Sequence, residues 1–138
     1  MKITVIDGQG GNIGRQLVKM IRERFPEAEL AVVGTNSVAT ANMLKGGAEN
    51  GATGENAVIV ACRKADLIIG PIGIVIADAL MGEVTPGMAV AVGQSEAMKI
   101  LIPLNRCETL VAGVQEGSAA AYLEDAMQKI AAKAGQNG

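Results

Sequence analysis

The 138 residues include no histidine and no tryptophan, and only one phenylalanine and one tyrosine. Without imidazole there is no Ser-His-Asp or Cys-His relay and no histidine metal ligand, which excludes hydrolysis by those devices for the lone chain. The scarcity of rings leaves almost nothing for nucleobases to stack on, and a formal charge of -2 offers no footprint for a phosphate backbone. Nucleic acid is not an expected partner. Cys62 and Cys107, the two cysteines, fit no metal spacing, so no metal site and no disulfide are expected. A Tyr-x-x-x-Lys pair is also missing, because Ala126 stands where the lysine would follow Tyr122. The longest apolar stretch, residues 67–77, is too short for a bilayer and is interrupted by Gly70, Pro71 and Gly73. The N-terminus reads as a strand with no cationic segment before it, so neither a leader nor an anchor is expected, and the compartment expected is the cytoplasm.

What the chain does have is 49% apolar residues, enough for one packed core, and a regular alternation of strand and helix signals. "KITVID" reads as a strand and is followed by glycines, then by a helical stripe of Ile13, Leu17, Met20 and Ile21 that Pro26 ends. "ELAVV" is a second strand, and Asn36 is an N-cap for a helix ending at Gly46 and Gly47. A third helix is read behind a Thr53 cap, with Val58, Ala61, Cys62 and Ala65 on one face, although "AVIV" alone equally suits a strand. "DLIIG" has the uninterrupted apolar run of a central parallel strand. A helix is expected over residues 74–81, another after Thr85 and Pro86, a strand at "KILIPL", an edge strand at "TLVAGV", and a last helix capped by Ser118 with Leu123, Ala126, Met127 and Ile130 inward. The fold expected is a three-layer α/β/α sandwich with a mainly parallel, Rossmann-like sheet, forming one domain over residues 1–134 with a frayed tail at 135–138.

Ligands of such sheets bind at the carboxyl ends of the strands, where the strand order reverses. Four turns fall there in this reading. The first holds Gly8, Gln9, Gly10, Gly11, Asn12, Ile13 and Gly14, whose glycines would let a backbone approach a pyrophosphate at a helix N-terminus, or would only let the helix pack closely on the sheet. The lysine of a triphosphate-binding loop is absent, Arg15 following Gly14 instead. The second turn holds Thr35, Asn36 and Ser37, all neutral where an acid would mark NAD and an arginine NADP. The third holds Gly70, Pro71, Ile72 and Gly73, and the fourth Asn105 and Arg106, the arginine being suited to an anion. Asp7, Glu83 and Cys107 are the candidate catalytic groups: two carboxylates as proton acceptors and a thiol beside a positive charge. Asp7 either faces the crevice or caps the glycine turn. Between Leu67 and Met98 the only charged residues are Asp78, Glu83 and Glu96, so part of that surface is expected to be covered by another copy in a homo-oligomer.

The phrases "IDGQGGNIG", "GTNSVATANMLKGGA", "GATGEN", "ADLIIGPIGI", "MGEVTP" and "ILIPLNRC" together resemble a family of small bacterial proteins known only as a domain of unknown function, over residues 1–114. That resemblance implies one compact intracellular domain and brings no reaction or ligand. The first turn is locally similar to that of reductases carrying Gly-x-x-Gly-x-x-Gly, over residues 3–18. The function expected is binding of a nucleotide or dinucleotide such as NAD(P), or of another small phosphate-bearing metabolite. The alternative is a non-catalytic oligomeric or regulatory protein whose glycine turn is architectural.

Overall fold

The computed structural model of the protein describes residues 1–104 and 108–137. Five parallel strands, β1 (Lys2–Asp7), β2 (Glu29–Gly34), β3 (Asn50–Thr53), β4 (Leu67–Pro71) and β5 (Met98–Ile102), form one sheet in the order β3-β2-β1-β4-β5. The helices are α1 (Asn12–Arg24), α2 (Ser37–Lys45), α3 (Glu55–Lys64), α4 (Pro86–Gln94) and α5 (Ala119–Asn137). This is the expected three-layer, Rossmann-like α/β sandwich.

The layering follows from alternation along each strand. Ile3 and Val5 of β1 and Leu67 and Ile69 of β4 pack with Leu17, Val18 and Ile21 of α1, Met43 of α2 and Leu123, Met127 and Ile130 of α5. Ile6 and Ile68, a register position away, face Val58 and Cys62 of α3 and Met88 and Val92 of α4. Each fully buried aliphatic side chain contributes about 1.5–3 kcal/mol relative to exposure, so both faces of β1 and β4 hold the helices.

Local signals survive where a cap fixes them. The Asn36 carboxamide accepts the Ala39 amide at 2.8 Å, Thr85 accepts Met88 at 3.1 Å, and Ser118 accepts Ala121 at 3.1 Å. Other expectations are corrected. Thr53 is not a cap but the last residue of β3, its hydroxyl 2.7 Å from that of Thr40. As its apolar run predicts, β4 is an interior strand, paired with β1 and β5 and buried at all five positions. Residues 74–81 are not an α-helix: after a 3-10 turn at Ile72–Val75 the chain makes successive tight turns, closed by Asp78 donating to Val84 at 2.7 Å and Val84 to Ala79 at 3.1 Å. Its apolar residues Ala79, Leu80 and Val84 are buried through those turns, which explains the misleading helical pattern. "TLVAGV" forms no strand and leaves β5 at the edge. Val114 donates to Val111 in a turn, and both residues line a groove with Ile100, Ile102 and Tyr122. The helix α5 runs through Gly135 to Asn137.

Candidate functional site

Because the strands are parallel, their carboxyl ends share one edge, and the order reverses between β1 and β4. α1, α2 and α3 each begin a few residues after a strand ends at that edge, so their positive ends face it.

Asp7, the last residue of β1, is 5% exposed. Its two oxygens accept the Gly8 and Gly14 amides, each at 2.8 Å, so one carboxylate spans the glycine turn and caps α1, whose N-cap Gly11 has no side chain to do so. Burial pushes the Asp7 carboxyl above its ordinary value against the pull of those two amides, and the charge of Glu83 adds to the upward shift. Of the two roles open for Asp7, the geometry is that of the cap.

The four glycines of the turn divide by what surrounds them. Gly11 has φ 74, and a Cβ there would meet the Ala39 backbone oxygen at 2.7 Å. At Gly14 it would meet Met43 Cγ at 2.8 Å and Asp7 Cβ at 2.9 Å. Both are therefore required by the close approach of α1 to α2 and β1. Gly8 is buried beneath Leu80 and Glu83. Gly10 differs: the nearest atom to a Cβ there is Asn12 Nδ2 at 3.6 Å. The amides of Gly10, Asn12 and Ile13 have no acceptor among the described residues. Beside them Asn42 of α2 donates to the Gly10 carbonyl at 2.9 Å and to Asn12 Oδ1 at 3.0 Å, and accepts from Arg15 at 3.0 Å.

Glu83 comes from the turns after β4 and reaches over the end of β1. Its Oε1 accepts the Gln9 amide at 2.8 Å, the Thr35 hydroxyl at 2.7 Å and the Asn36 carboxamide at 2.7 Å. Burial opposes its charge, but these donors together outweigh that cost and hold its pKa below the usual carboxylate value. An acid thus stands in space at the tip of β2, where the sequence has only neutral residues. Asn36 also donates to the Gln9 carbonyl at 2.9 Å, joining the first and second turns, and Gln9 takes the left-handed φ of 50. Ser37 is exposed.

The third turn is closed. At Gly70 a Cβ would overlap the Ile6 carbonyl of β1, so the glycine lets two strands run close together. Pro71 and Gly73 are buried, with Ile72 half-buried, and Gly73 lies under Ala79 and Leu80. Asn105, Arg106 and Cys107 lie outside the described residues. The structure therefore brings the first two turns together with Glu83 and covers the third. Sequence reasoning did not find Asn42, Arg15 or Leu80. Nothing local marked Asn42 or Leu80, since their neighbours in the site come from other segments of the chain.

Among the described residues no three metal-ligating side chains cluster, and no helix is long and apolar enough to cross a membrane. A groove of about 1300 Å³ lies at the other end of β4 and β5, against Cys62, Asp66, Val90 and Met98.

No curated protein matches the chain. Among solved structures, a dodecameric FMN-dependent UbiX-like decarboxylase from Escherichia coli O157:H7 is 18% identical with a TM-score of 0.48, over 95% of this chain and 76% of that one. A likeness this low says nothing about ligand or assembly. The model of DUF3842, a domain of unknown function, matches residues 2–135, and the chain belongs to that family.

Proposed function

We infer that the protein binds a small phosphate-bearing ligand, of which a nucleotide is the leading class, at the carboxyl edge between the turns of β1 and β2. The observation that carries this reading is Gly10. Packing demands glycine at its neighbours Gly11 and Gly14 but not here, and the open amides of Gly10, Asn12 and Ile13 sit together at the positive end of α1. Arg15 borders the same spot, positioned by its bond to Asn42, and its guanidinium carries further donors. NAD(P) remains the finer form of the proposal. A dinucleotide reaching from β2 across β1 toward β4 would need the ground now held by Leu80 and Glu83. The protein is read as a binder, with any redox chemistry supplied by what it binds.

The test is a thermal-shift titration with NAD, ADP and inorganic phosphate on the wild type and on Gly10→Val. A ligand at about 100 times its dissociation constant stabilises the folded state by about 2.7 kcal/mol. A shift in the wild type that Gly10→Val abolishes, with unliganded stability retained, supports the site. No shift with any probe retires it.

A second reading has its own support. α4 carries no charged residue and leaves Val90 51% exposed. An uncharged helix with such an outer face suits contact with another copy. This homo-oligomer proposal is compatible with the first unless the titrations fail.

A further inference from the structure

We propose that the loop of residues 76–84 is an internal latch. On this view Glu83 holds, in place of a ligand, the donors that an incoming phosphate would use. The proposal rests on the binding reading above and adds its regulation.

The first ground is the identity of the donors. A backbone amide (Gln9), a hydroxyl (Thr35) and a carboxamide (Asn36) all converge on one carboxylate oxygen, at 2.7–2.8 Å. They come from two separate turns at the carboxyl edge, and an anionic phosphate oxygen accepts hydrogen bonds from the same kinds of group. Glu83 is therefore an anion already in the crevice, tethered to the chain.

The second ground is exclusion. Leu80 and Glu83 together lie against Gly8, so the turn cannot take a ligand on that side while the loop is down. Asp7, the other carboxylate facing this point, lies directly beneath the turn and already feels the charge of Glu83. A phosphate could not share the donors with Glu83 beside Asp7, because like charges at close range repel strongly. Entry of one requires exit of the other.

The third ground is the loop's construction. Asp78, Leu80 and Met81 have φ of 67, 56 and 57, left-handed values that residues other than glycine adopt only at a cost. Such a conformation persists only where anchors impose it, and the anchors here are the hydrogen bonds of Glu83, the backbone bonds between Asp78, Ala79 and Val84, and the burial of Ala79, Leu80 and Val84. Gly82, with φ 88 and open space around it, lies next to Glu83, and Met81 at the tip is 95% exposed. Withdrawing Glu83 removes the hydrogen-bonded anchor that ties this loop to the turns of β1 and β2.

Two measurements on the full chain test this. Hydrogen exchange without ligand should show faster exchange at residues 78–84 in Glu83→Ala than in the wild type, with β1 and α1 unchanged. Titration calorimetry with ADP should show Glu83→Ala binding about tenfold tighter, the scale expected when a charge-assisted competitor is removed. Should Glu83→Ala prove unstable, Glu83→Gln keeps the shape, discards the charge and is expected to move affinity the same way. If the variants bind ADP more weakly than the wild type, Glu83 is a ligand contact and the latch is overturned while the binding site stands. Equal affinity also overturns the latch, as does unchanged exchange at residues 78–84. Absence of ADP binding in both proteins removes the latch together with the site.

Discussion

The Thr35 hydroxyl donates to Glu83 Oε1 at 2.7 Å, tying the end of β2 to a loop that begins two strands away in the sheet. Thr35→Val keeps the shape and removes that donor. The expected loss is about 1 kcal/mol by urea unfolding, reduced from the range for charged hydrogen bonds because Thr35 and Glu83 are both half-exposed. With one donor fewer the Glu83 pKa should rise toward its ordinary value, which NMR titration of the carboxyl carbon reads directly.

Adjacent glycines should respond in opposite ways. Gly11→Ala combines a left-handed φ of 74 with a Cβ 2.7 Å from the Ala39 carbonyl, and is expected to cost about 3 kcal/mol or to prevent folding. Gly10→Ala meets nothing closer than 3.6 Å and should change unfolding free energy by less than about 0.5 kcal/mol. Thermal melts of the pair measure both. A bulky residue at Gly11 is consequently a poor probe of ligand binding, and Gly10 is the informative position.

Asp7→Asn replaces one of two acceptors by a donor facing an amide, with an expected cost of about 1–3 kcal/mol. Its pH dependence has a definite sign. The folded pKa of Asp7 is raised, so the folded state holds the proton longer than the unfolded chain does. The contribution of this group is full below the ordinary carboxyl pKa and is lost as pH rises through the raised folded value. The margin of wild type over Asp7→Asn should therefore be widest in acid and narrow upward. Glu83, whose folded pKa is lowered, acts the other way: its contribution is present above the ordinary value and lost as pH falls through the depressed one. Urea titrations of wild type, Asp7→Asn and Glu83→Gln from acid to neutral pH separate the two.

Burial pushes the Cys62 thiol up to about 11, with Lys99 pulling weakly in the opposite sense. In a Cys107→Ser background, Cys62 should resist a thiol-labelling reagent at pH 8 in the folded protein and react at once in denaturant. Rapid labelling of the folded chain would show that α3 opens from the sheet.

The sequence was most legible where a signal and its effect lie within one turn of helix. Asn36, Thr85 and Ser118 cap the helices that follow them because the acceptor and the amide are three residues apart. The core strands were equally plain, since burial on both faces leaves an unbroken apolar run such as that of β4. β3 escaped notice because "NGAT" is exposed at all four positions and is a strand only through its pairing with β2. Within the site, glycine spacing marked the turn correctly but did not reveal that Gly11 and Gly14 answer to Ala39 and Met43. Glu83 was picked out as an isolated acid. Its partners stand 47, 48 and 74 residues away in sequence, a separation no local pattern encodes.

Gly70 carries a mechanical implication. Since any side chain there would collide with the Ile6 carbonyl, β1 and β4 are pinned together where the crevice has its floor. The floor has no slack to give, so a ligand reaching from β1 toward β4 would have to be admitted by raising the roof.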